Sequence, residues 1–329
     1  MDLKKFKNDI FLIREDSEFN NLALKLFKYQ SKKNKSYKKY IELLNINPET
    51  INSVEQIPFL PIDIFRKNKI LCENIKYEKI FLSSGTTTTT TRSRHYIESI
   101  QFYEKSIKKS FEKAFGQIND YTIFCITPNH QQENTSSLIH MCEYLIHNSN
   151  CPNSGFYYND HNNLIKKIKT TQKKKKKFIL IGLSFGILDF ANKKEIDLND
   201  GIVIETGGMK SVKKEISKDE LYANLKERLK IEKIGSEYSM TELLSQSYSS
   251  TKGQFIPPPW KKILIREQNN PLKLTTKEMT TGGINIIDLA NTHSCAFIAT
   301  NDLGKKEKNY FYVLGRYDNS SIRGCNNML

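Results

Sequence analysis

Apolar residues in the first part of the chain recur at helical spacing. In "FNNLALKLFKYQSKKNKSYKKYIELL" they stand three and four positions apart, as on the buried face of an amphipathic helix. Pro58 and Pro61 in "IPFLPIDIF" then interrupt this pattern. They favour an extended segment, because proline fixes its own φ and disfavours a helical conformation in the residue before it. The pattern predicts a helical segment over residues 1–75 that packs on the rest of the chain.

From residue 78 onward, short apolar runs alternate with longer helical patterns. The runs of strand length are "KIFLSS", "YTIFCITP", "KFILIGLS" and "GIVIETGG". Helical patterns follow in "ESIQFYEKSIKKSFEKAF", "SSLIHMCEYLIH" and "SKDELYANLKERLK". Buried strands that alternate with helices predict an α/β layered fold, whose functional loops follow the carboxyl ends of the strands.

The pattern changes after Gly253. Apolar runs such as "GGINIIDLA", "CAFIATNDLG" and "NYFYVLGRYD" are separated by turn residues and lack long helical stretches between them. Several strands joined by turns predict a β-rich subdomain at the carboxyl end of the α/β layer.

Composition favours a folded globular protein. Only 38% of the 329 residues are apolar, but 16 Tyr and 18 Phe supply large surfaces to bury. The formal charge of +15 would suit nucleic acid, yet the basic residues are scattered along the chain. The one dense run, Lys173–Lys177, directly precedes an apolar run and is predicted to be a solvated loop. We therefore expect no nucleic-acid partner.

Cysteine usage and apolar run length indicate the compartment. The six cysteines are widely spaced, without a C-x-x-C pair or a zinc-like cluster. The amino-terminal stretch lacks the apolar core of a signal peptide, and no apolar run reaches the ~18 residues of a membrane-spanning helix. We expect a cytoplasmic protein with reduced thiols and no membrane span.

The stretch "FLSSGTTTTTTRSRHYI" combines a strand pattern with a hydroxyl-rich loop. Ser83, Ser84, Gly85, Thr86 and Thr87 come directly after the predicted strand. Hydroxyl and backbone N–H groups in such a loop are suited to phosphate oxygens, although the loop is not a Walker A sequence. From the residues alone, a phosphate site and a threonine repeat in a flexible loop are both open.

"EYSMTELLSQ" supplies an exposed-type aromatic, a hydroxyl and a carboxylate at Tyr238, Thr241 and Glu242. A nucleotide-magnesium site needs an aromatic face, a hydroxyl donor and a hard oxygen ligand. The alternative is a helix amino terminus with Thr241 as its cap and Glu242 in its first turn.

Three further turns contain groups that can bind a nucleotide. "ETGGMKS" places Thr206, Gly207 and Gly208 at a predicted strand end, where glycine allows close approach of a planar ligand. Asp302 in "ATNDLG" can accept hydrogen bonds from two sugar hydroxyls, and Arg316 in "GRYDNSSIRG" can bind phosphate or ribose oxygens. Each alone is also typical of an ordinary turn.

The order of these motifs resembles that of adenylate-forming enzymes. The intervening text "PFLPIDIF", "FLSSGTT", "ILIGLSFGILD", "ETGGMK", "SEYSMTELLSQSYS", "PPWKKILIR", "GGINIIDLAN" and "VLGRYDNSSIRGCN" is similar to the acyl-protein synthetase family, the LuxE-like proteins. The resemblance runs from about residue 56 to the end. It implies a layered adenylate-forming N-terminal-domain-like fold over residues 76–329, without the mobile C-terminal domain that most adenylate-forming enzymes carry.

The resemblance also implies an activity with ATP and Mg²⁺. The chain would convert a fatty acyl carboxylate into acyl-AMP and pass the acyl group to a protein thiol, as a ligase and acyltransferase. Partners would be a fatty acid or related carboxylate and an acyl carrier, reductase or acyltransferase protein. The residues that it assigns to ATP are Ser83, Ser84, Gly85, Thr86 and Thr87 at the phosphates, Thr206, Gly207, Gly208 and Tyr238 at the adenine, Thr241 at the α-phosphate, and Asp302 and Arg316 at the ribose. Glu242 would hold magnesium.

Cys325 in "RGCNNML" stands where similar family members carry an acyl-accepting cysteine, and Arg323 would favour its thiolate. The alternative is an incidental cysteine. His95 would stand near the acyl-AMP carbonyl or point to solvent.

The sequence departs from the family pattern at three expected glycines, where it has Thr88, Ser211 and Ser239. A side chain at a position that needs positive φ costs on the order of 1 kcal/mol. A relative that binds nucleotide or acyl carrier protein without catalysing is therefore the second hypothesis.

Overall fold

The computed structural model describes residues 1–84, 92–129, 131, 133–194, 196–207, 218–250 and 253–317. Its helices are Leu3–Asp9 (α1), Asp16–Lys33 (α2), Lys35–Leu43 (α3), Ile64–Lys67 (α4), Ile100–Phe115 (α5), Ser137–Asn148 (α6), His161–Lys173 (α7), Ser184–Lys193 (α8) and Lys218–Leu229 (α9). Its strands are Leu60–Pro61 (β1), Lys79–Leu82 (β2), Arg94–Ile97 (β3), Tyr121–Ile126 (β4), Gly155–Phe156 (β5), Lys177–Leu183 (β6), Gly201–Thr206 (β7), Ile234–Tyr238 (β8), Ser247–Ser249 (β9), Phe255–Ile256 (β10), Lys261–Arg266 (β11), Gly282–Asp288 (β12), Phe297–Glu307 (β13) and Tyr310–Arg316 (β14).

The amino-terminal segment is helical, as its apolar spacing predicts, but one residue divides it. Asn34 ends α2 and caps α3, accepting a hydrogen bond from the Tyr37 backbone N–H at 3.1 Å. Its amide group also donates to the Ser294 carbonyl at 3.0 Å. Farther along, Leu60 in β1 pairs with Ile298 in β13. The segment therefore makes specific polar contacts with the strand-rich end of the chain.

A parallel layer occupies the middle of the chain, with neighbouring strands in the order β5-β4-β6-β7-β8. Alternate side chains of each strand face opposite sides. Ile123 and Cys125 of β4 lie in the same core as α5 and α6, whereas Phe124 and Ile126 lie in a second core with α7, α8 and α9. The helices thus cover both faces, and the carboxyl ends of these strands meet at one edge, where open α/β sheets bind ligands.

Beyond β8 the sheet becomes antiparallel, continuing through β9, β10, β14, β13 and β12 to β11. This part confirms the predicted β-rich end of the chain. The β2 strand predicted in "KIFLSS" lies outside the main sheet, because it pairs antiparallel with β3 in a separate two-stranded sheet. The Lys173–Lys177 run is exposed and leads into β6, as its pattern predicts.

None of the helices that the structure describes has the length and apolar character needed to cross a membrane.

Candidate active site

The turn after β8 carries Thr241 and Glu242. Residues 239–246 form turns and irregular backbone rather than a helix, because β9 pairs antiparallel with β8 and the chain must reverse between Tyr238 and Ser247. The interpretation of Thr241 and Glu242 as the start of a helix is therefore wrong. The turn instead presents both residues at the edge where the parallel strands end.

Glu242 is 5% exposed, and burial raises the pKa of its carboxyl group. A hydrogen bond from Ser93 and the positive charges of Arg316 and Arg66 lower that pKa in part. Within the described ranges, His, Cys, Asp and Glu form no cluster of three that could hold a metal. A single carboxylate suits magnesium, which keeps several waters and binds substrate phosphates beside one or two protein carboxylates.

The start of the hydroxyl-rich loop lies next to Glu242. The Ser83 backbone N–H donates to the Ser93 carbonyl at 3.1 Å, and the Ser93 N–H donates to the Ser83 hydroxyl oxygen at 3.0 Å. Ser93 in turn bonds to Glu242. Ser84 is exposed at the mouth of this loop. Gly85, Thr86, Thr87 and Thr88 lie outside the described residues.

Asp302, Arg316 and Tyr238 come together from three strands. Asp302 and Arg316 are opposite each other in the β13–β14 ladder, with 3.4 Å between Arg316 Nε and Asp302 Oδ1. The Tyr238 hydroxyl donates to Asp302 Oδ2 at 2.8 Å. Asp302 is 8% exposed and has further lone pairs for sugar hydroxyls. Tyr238 itself is buried, contrary to the exposed aromatic that the sequence predicts; its ring packs against Phe255 and Phe311.

The end of β7 is tied to the end of β8. The Thr206 hydroxyl donates to Glu237 Oε2 at 2.5 Å, and Glu237 directly precedes Tyr238. Gly207 has a φ of +83°, a conformation that suits glycine. Gly208 and Ser211 lie outside the described residues. Thr206 and Gly207 thus border the same edge as Tyr238 and Thr241.

Two residues that carry no nucleotide motif hold the backbone of the Thr241–Glu242 turn. His95 donates from Nδ1 to the Thr241 carbonyl at 2.7 Å, and Asn291 donates from its side-chain amide to the Glu242 carbonyl at 2.8 Å. His95 is 1% exposed, so the solvent-facing alternative is wrong. Burial lowers its pKa to about 4, which leaves the ring neutral with the proton on Nδ1. Asn291 has no sequence signal beyond its position in "LANTHSC".

The cysteines differ in placement. Cys125 and Cys142 are fully buried in the core, as their apolar surroundings predict. Cys325 and Arg323 lie outside the described residues, so the acyl-acceptor assignment stays a prediction.

Comparisons with known proteins concern the family and the fold of the chain. A family model described as "Acyl-protein synthetase, LuxE" matches residues 10–329. A search of curated proteins found no match. Among solved structures, 2-hydroxyisobutyryl-CoA ligase in an open conformation with 2-HIB-AMP and CoA has a TM-score of 0.64 at 13% identity, covering 93% of this chain and 77% of that chain. The same ligase in the postadenylation state with R3-HIB-AMP gives 0.66 at 12%, covering 93% and 69%.

A third solved structure, McyG A-PCP complexed with phenylalanyl-adenylate, has a TM-score of 0.51 at 15% identity and covers 86% of this chain and 47% of that chain. At these identities the likeness concerns the fold, and it confirms the predicted adenylate-forming α/β fold. The family match begins before residue 56, within the helical segment, and spans nearly the whole sequence. The chain belongs to the LuxE acyl-protein synthetase family.

Proposed function

We propose that the chain uses ATP and Mg²⁺ to activate a carboxylic acid as acyl-AMP and transfers the acyl group to a protein thiol. The observation that carries the proposal is the convergence of three separate motifs. Ser83 is hydrogen-bonded to Ser93, which in turn is hydrogen-bonded to the buried Glu242. Arg316, which pairs with Asp302, acts on the Glu242 carboxylate from the other side through its positive charge. Membership of the family supports acyl-adenylate formation.

In the first step, a carboxylate oxygen of the acid bonds to the α-phosphorus of ATP while the bond to pyrophosphate breaks. The nucleophile is already ionised, so the step needs positioning and charge stabilisation rather than a strong general base. Magnesium, when bound, offsets the repulsion between the carboxylate and the triphosphate. Glu242 would hold the metal, with Arg316 and Arg66 favouring the ionised carboxylate despite its burial. Thr241 would contact the α-phosphate.

In the second step, a thiolate bonds to the acyl carbon and AMP leaves. Cys325 is the proposed acceptor, with an acyl carrier, reductase or acyltransferase protein as a later partner. The family resemblance predicts a fatty acid as the carboxylate and the cytoplasm as the location. Each of these finer assignments is part of the proposal and rests on the resemblance.

A non-catalytic relative is less well supported, because one of its three arguments fails. Ser239 stands at an expected glycine, yet its φ is not positive. A serine there carries no left-handed strain. Thr88 and Ser211 lie outside the described residues.

The test of the first step is pyrophosphate release from purified protein with ATP, Mg²⁺ and a panel of acids. Glu242→Gln should lower release by at least about a hundredfold, the order found when one preorganised charge-stabilising group is lost. Chelation of Mg²⁺ should do the same. Glu227→Gln, on the exposed side of α9, is the matched control and should retain full release. Full release by the Glu242 variant would contradict the proposal.

The thiol step has its own readout in the intact mass of the protein after the reaction. Cys325→Ala should retain pyrophosphate release and lose only the stable acyl-protein adduct. Equal loss of both steps would exclude Cys325 as a simple acceptor.

A further inference from the structure

Asp288, the last residue of β12, has a fully buried carboxylate. It accepts four hydrogen bonds from residues that the structure describes. Oδ2 accepts from the backbone N–H groups of Leu244 and Ser245 at 2.9 and 3.0 Å. Oδ1 accepts from the Ser245 hydroxyl at 2.7 Å and from the Ala290 N–H at 3.1 Å. An ionised carboxylate has about four lone-pair sites, so these bonds use its capacity and leave none for a substrate or a metal.

The four bonds connect two segments that both determine where Glu242 lies. The turn after β8 carries Glu242 and, two and three residues later, the two N–H groups that bond to Asp288. The loop after β12 contains Ala290, and the next residue, Asn291, donates from its side chain to the Glu242 carbonyl at 2.8 Å. Asp288 therefore joins the turn that carries Glu242 to the loop that holds it.

A buried cation accompanies the charge of Asp288. Lys261 is 3% exposed and donates to the Ser245 carbonyl at 2.9 Å. Burial raises the pKa of the Asp288 carboxyl, and the positive charge of Lys261 lowers it in turn. Trp260 donates from Nε1 to the Ser245 hydroxyl oxygen at 2.8 Å. The carboxylate, the ammonium and the indole together hold the N–H, hydroxyl and carbonyl groups of Ser245, which fixes the end of the turn.

The geometry that magnesium requires explains why this connection would matter. Magnesium demands near-ideal octahedral geometry, and displacement of a group by about 1 Å can cost about a hundredfold in rate. We propose that Asp288 is a positioning residue for adenylation, which acts through the turn to fix Glu242 where it holds Mg²⁺. The inference rests on the proposed function and extends it to a residue outside the nucleotide motifs.

Asp288→Asn keeps the shape of the side chain and replaces one oxygen with an NH2 group. In one orientation of the amide this group faces the Ala290 N–H, and in the other it faces the N–H groups of Leu244 and Ser245. Two donors cannot bond to each other, so one of the two connections is lost. The Mg²⁺ concentration for half-maximal pyrophosphate release should rise by about tenfold, as expected for one lost buried hydrogen bond. Excess Mg²⁺ should restore most of the rate.

A loss of stability alone would not change the Mg²⁺ requirement, because it lowers the folded fraction and leaves each folded molecule unchanged. Ile168→Ala is the matched control. Ile168 is fully buried in the second core, with α7, α8 and α9, whereas Leu244 of the turn belongs to the core that contains α5 and α6. The control should lower the urea midpoint at least as much as Asp288→Asn and keep the wild-type Mg²⁺ requirement.

Backbone hydrogen exchange provides a readout that does not need the reaction. Both variants should speed exchange in β4 and β6, since core strands open with global unfolding. Only Asp288→Asn should add a further increase, by about tenfold, at residues 242–246 and 289–292, because only this variant loses the local connection.

The outcomes separate this inference from the proposed function. Pyrophosphate release by the wild type, with an unchanged Mg²⁺ requirement in Asp288→Asn, would overturn the inference alone. An exchange pattern in Asp288→Asn that matches that of Ile168→Ala would do the same, because it would show a purely structural role. If the wild type releases no pyrophosphate with any acid, the proposed function and the inference are both wrong.

Discussion

At the scale of single residues, His95 has the clearest role that its sequence position does not reveal. Its Nδ1–H donates to the carbonyl of Thr241. A carbonyl oxygen only accepts hydrogen bonds, so the neutral ring must carry its proton on Nδ1. The contact fixes the backbone at the residue proposed to meet the α-phosphate. His95 is thus a positioning residue, acting through Thr241 rather than on the substrate.

We predict that His95→Leu lowers kcat/KM for ATP by roughly ten- to a hundredfold, because the Thr241 carbonyl loses its donor and the turn shifts. His95→Asn places an amide N–H near the position of Nδ1 and should recover most of the loss. Steady-state pyrophosphate release measures both.

The wild-type and His95→Asn rates should keep a constant ratio from about pH 6 to about pH 9, because burial lowers the His95 pKa to about 4 and the ring does not titrate there. Equal activity of His95→Leu and His95→Asn would show that the hydrogen bond to Thr241 is dispensable.

Lys261 is the second unusual residue. It is 3% exposed, donates to the Ser245 carbonyl at 2.9 Å and lies 5.5 Å from the centre of the Tyr238 ring. Burial lowers its pKa from 10.5 to about 8, against the charges of Asp288 and Glu237, which raise it. Between these values the unfolded chain binds a proton at Lys261 that the folded chain does not.

The stability that Lys261 contributes should therefore rise with pH over that window and fall as pH drops toward 8. We predict that the free energy of unfolding of the wild type, relative to that of Lys261→Met, increases by on the order of 3 kcal/mol as the pH rises from about 8 to about 10.5. Urea unfolding of both proteins at several pH values measures the difference, which cancels the titration of other groups. A difference that stays flat with pH would show that Lys261 titrates normally.

At the scale of elements, the end of β7 depends on Gly207. Its φ is +83°, and a Cβ there would lie 2.9 Å from Leu183 Cδ2 on the neighbouring strand. Gly253 also has a positive φ, +70°, but no atom of the residues that the structure describes lies within 4 Å of its would-be Cβ. Comparing substitutions at the two positions therefore separates the cost of left-handed backbone from the cost of crowding against Leu183.

We predict that Gly253→Ala costs about 1 kcal/mol of stability, the price of left-handed backbone alone. Gly207→Ala should cost roughly twice that and also lower pyrophosphate release, because the shifted backbone carries Thr206. Urea unfolding and activity assays measure the two effects. Equal stability losses, with activity intact in both variants, would show that the Leu183 contact relaxes freely.

Element types follow from local patterns more readily than pairings do. The runs that became β4, β6 and β7 are short, apolar and bounded by turns, and each lies within its predicted stretch. The turn after β8 was wrongly predicted as a helix start because "MTELL" also suits the first turn of a helix. Its conformation is decided instead by the antiparallel pairing of β9 with β8. The separate β2–β3 sheet is likewise a matter of pairing, which no single stretch encodes.

The residues of the candidate site likewise include some that the sequence indicates and others that only the structure reveals. Tyr238, Thr241, Glu242 and Asp302 belong to motifs whose order along the chain indicates a shared ligand. His95 and Asn291 each act through a hydrogen bond to one backbone carbonyl. Such roles depend on three-dimensional contacts, and the residue types alone are too common to indicate them.

At the scale of the whole molecule, the amino-terminal segment and the sheet share one core. Apolar residues of α1, α2 and α3 belong to the same buried cluster as β11, β12 and β13. Gln30 in α2 donates to the Asn291 and Thr292 carbonyls at 2.6 and 3.1 Å, and its side-chain oxygen accepts from the Ala296 N–H at 3.0 Å. These contacts connect the first helices to the loop that holds Glu242.

This sharing predicts that residues 1–75 and the remainder unfold together. The single tryptophan, Trp260, reports on the contact between the amino-terminal segment and the sheet. Its ring packs edge-on against the ring of Phe11, with 4.8 Å between the ring centroids. Trp260 fluorescence and far-ultraviolet circular dichroism should give coincident urea transitions, as expected of one cooperative unit.

Phe11→Ala removes an aromatic contact across the junction and should lower the free energy of unfolding by about 2 kcal/mol in both signals. Leu12→Ala, at the neighbouring side chain that is 67% exposed, is the matched control and should change it by less than about 0.5 kcal/mol. Were the segment an independent unit, Phe11→Ala would shift the fluorescence transition and leave a second transition in the dichroism unmoved. Two separated transitions in the wild type would contradict the shared core directly.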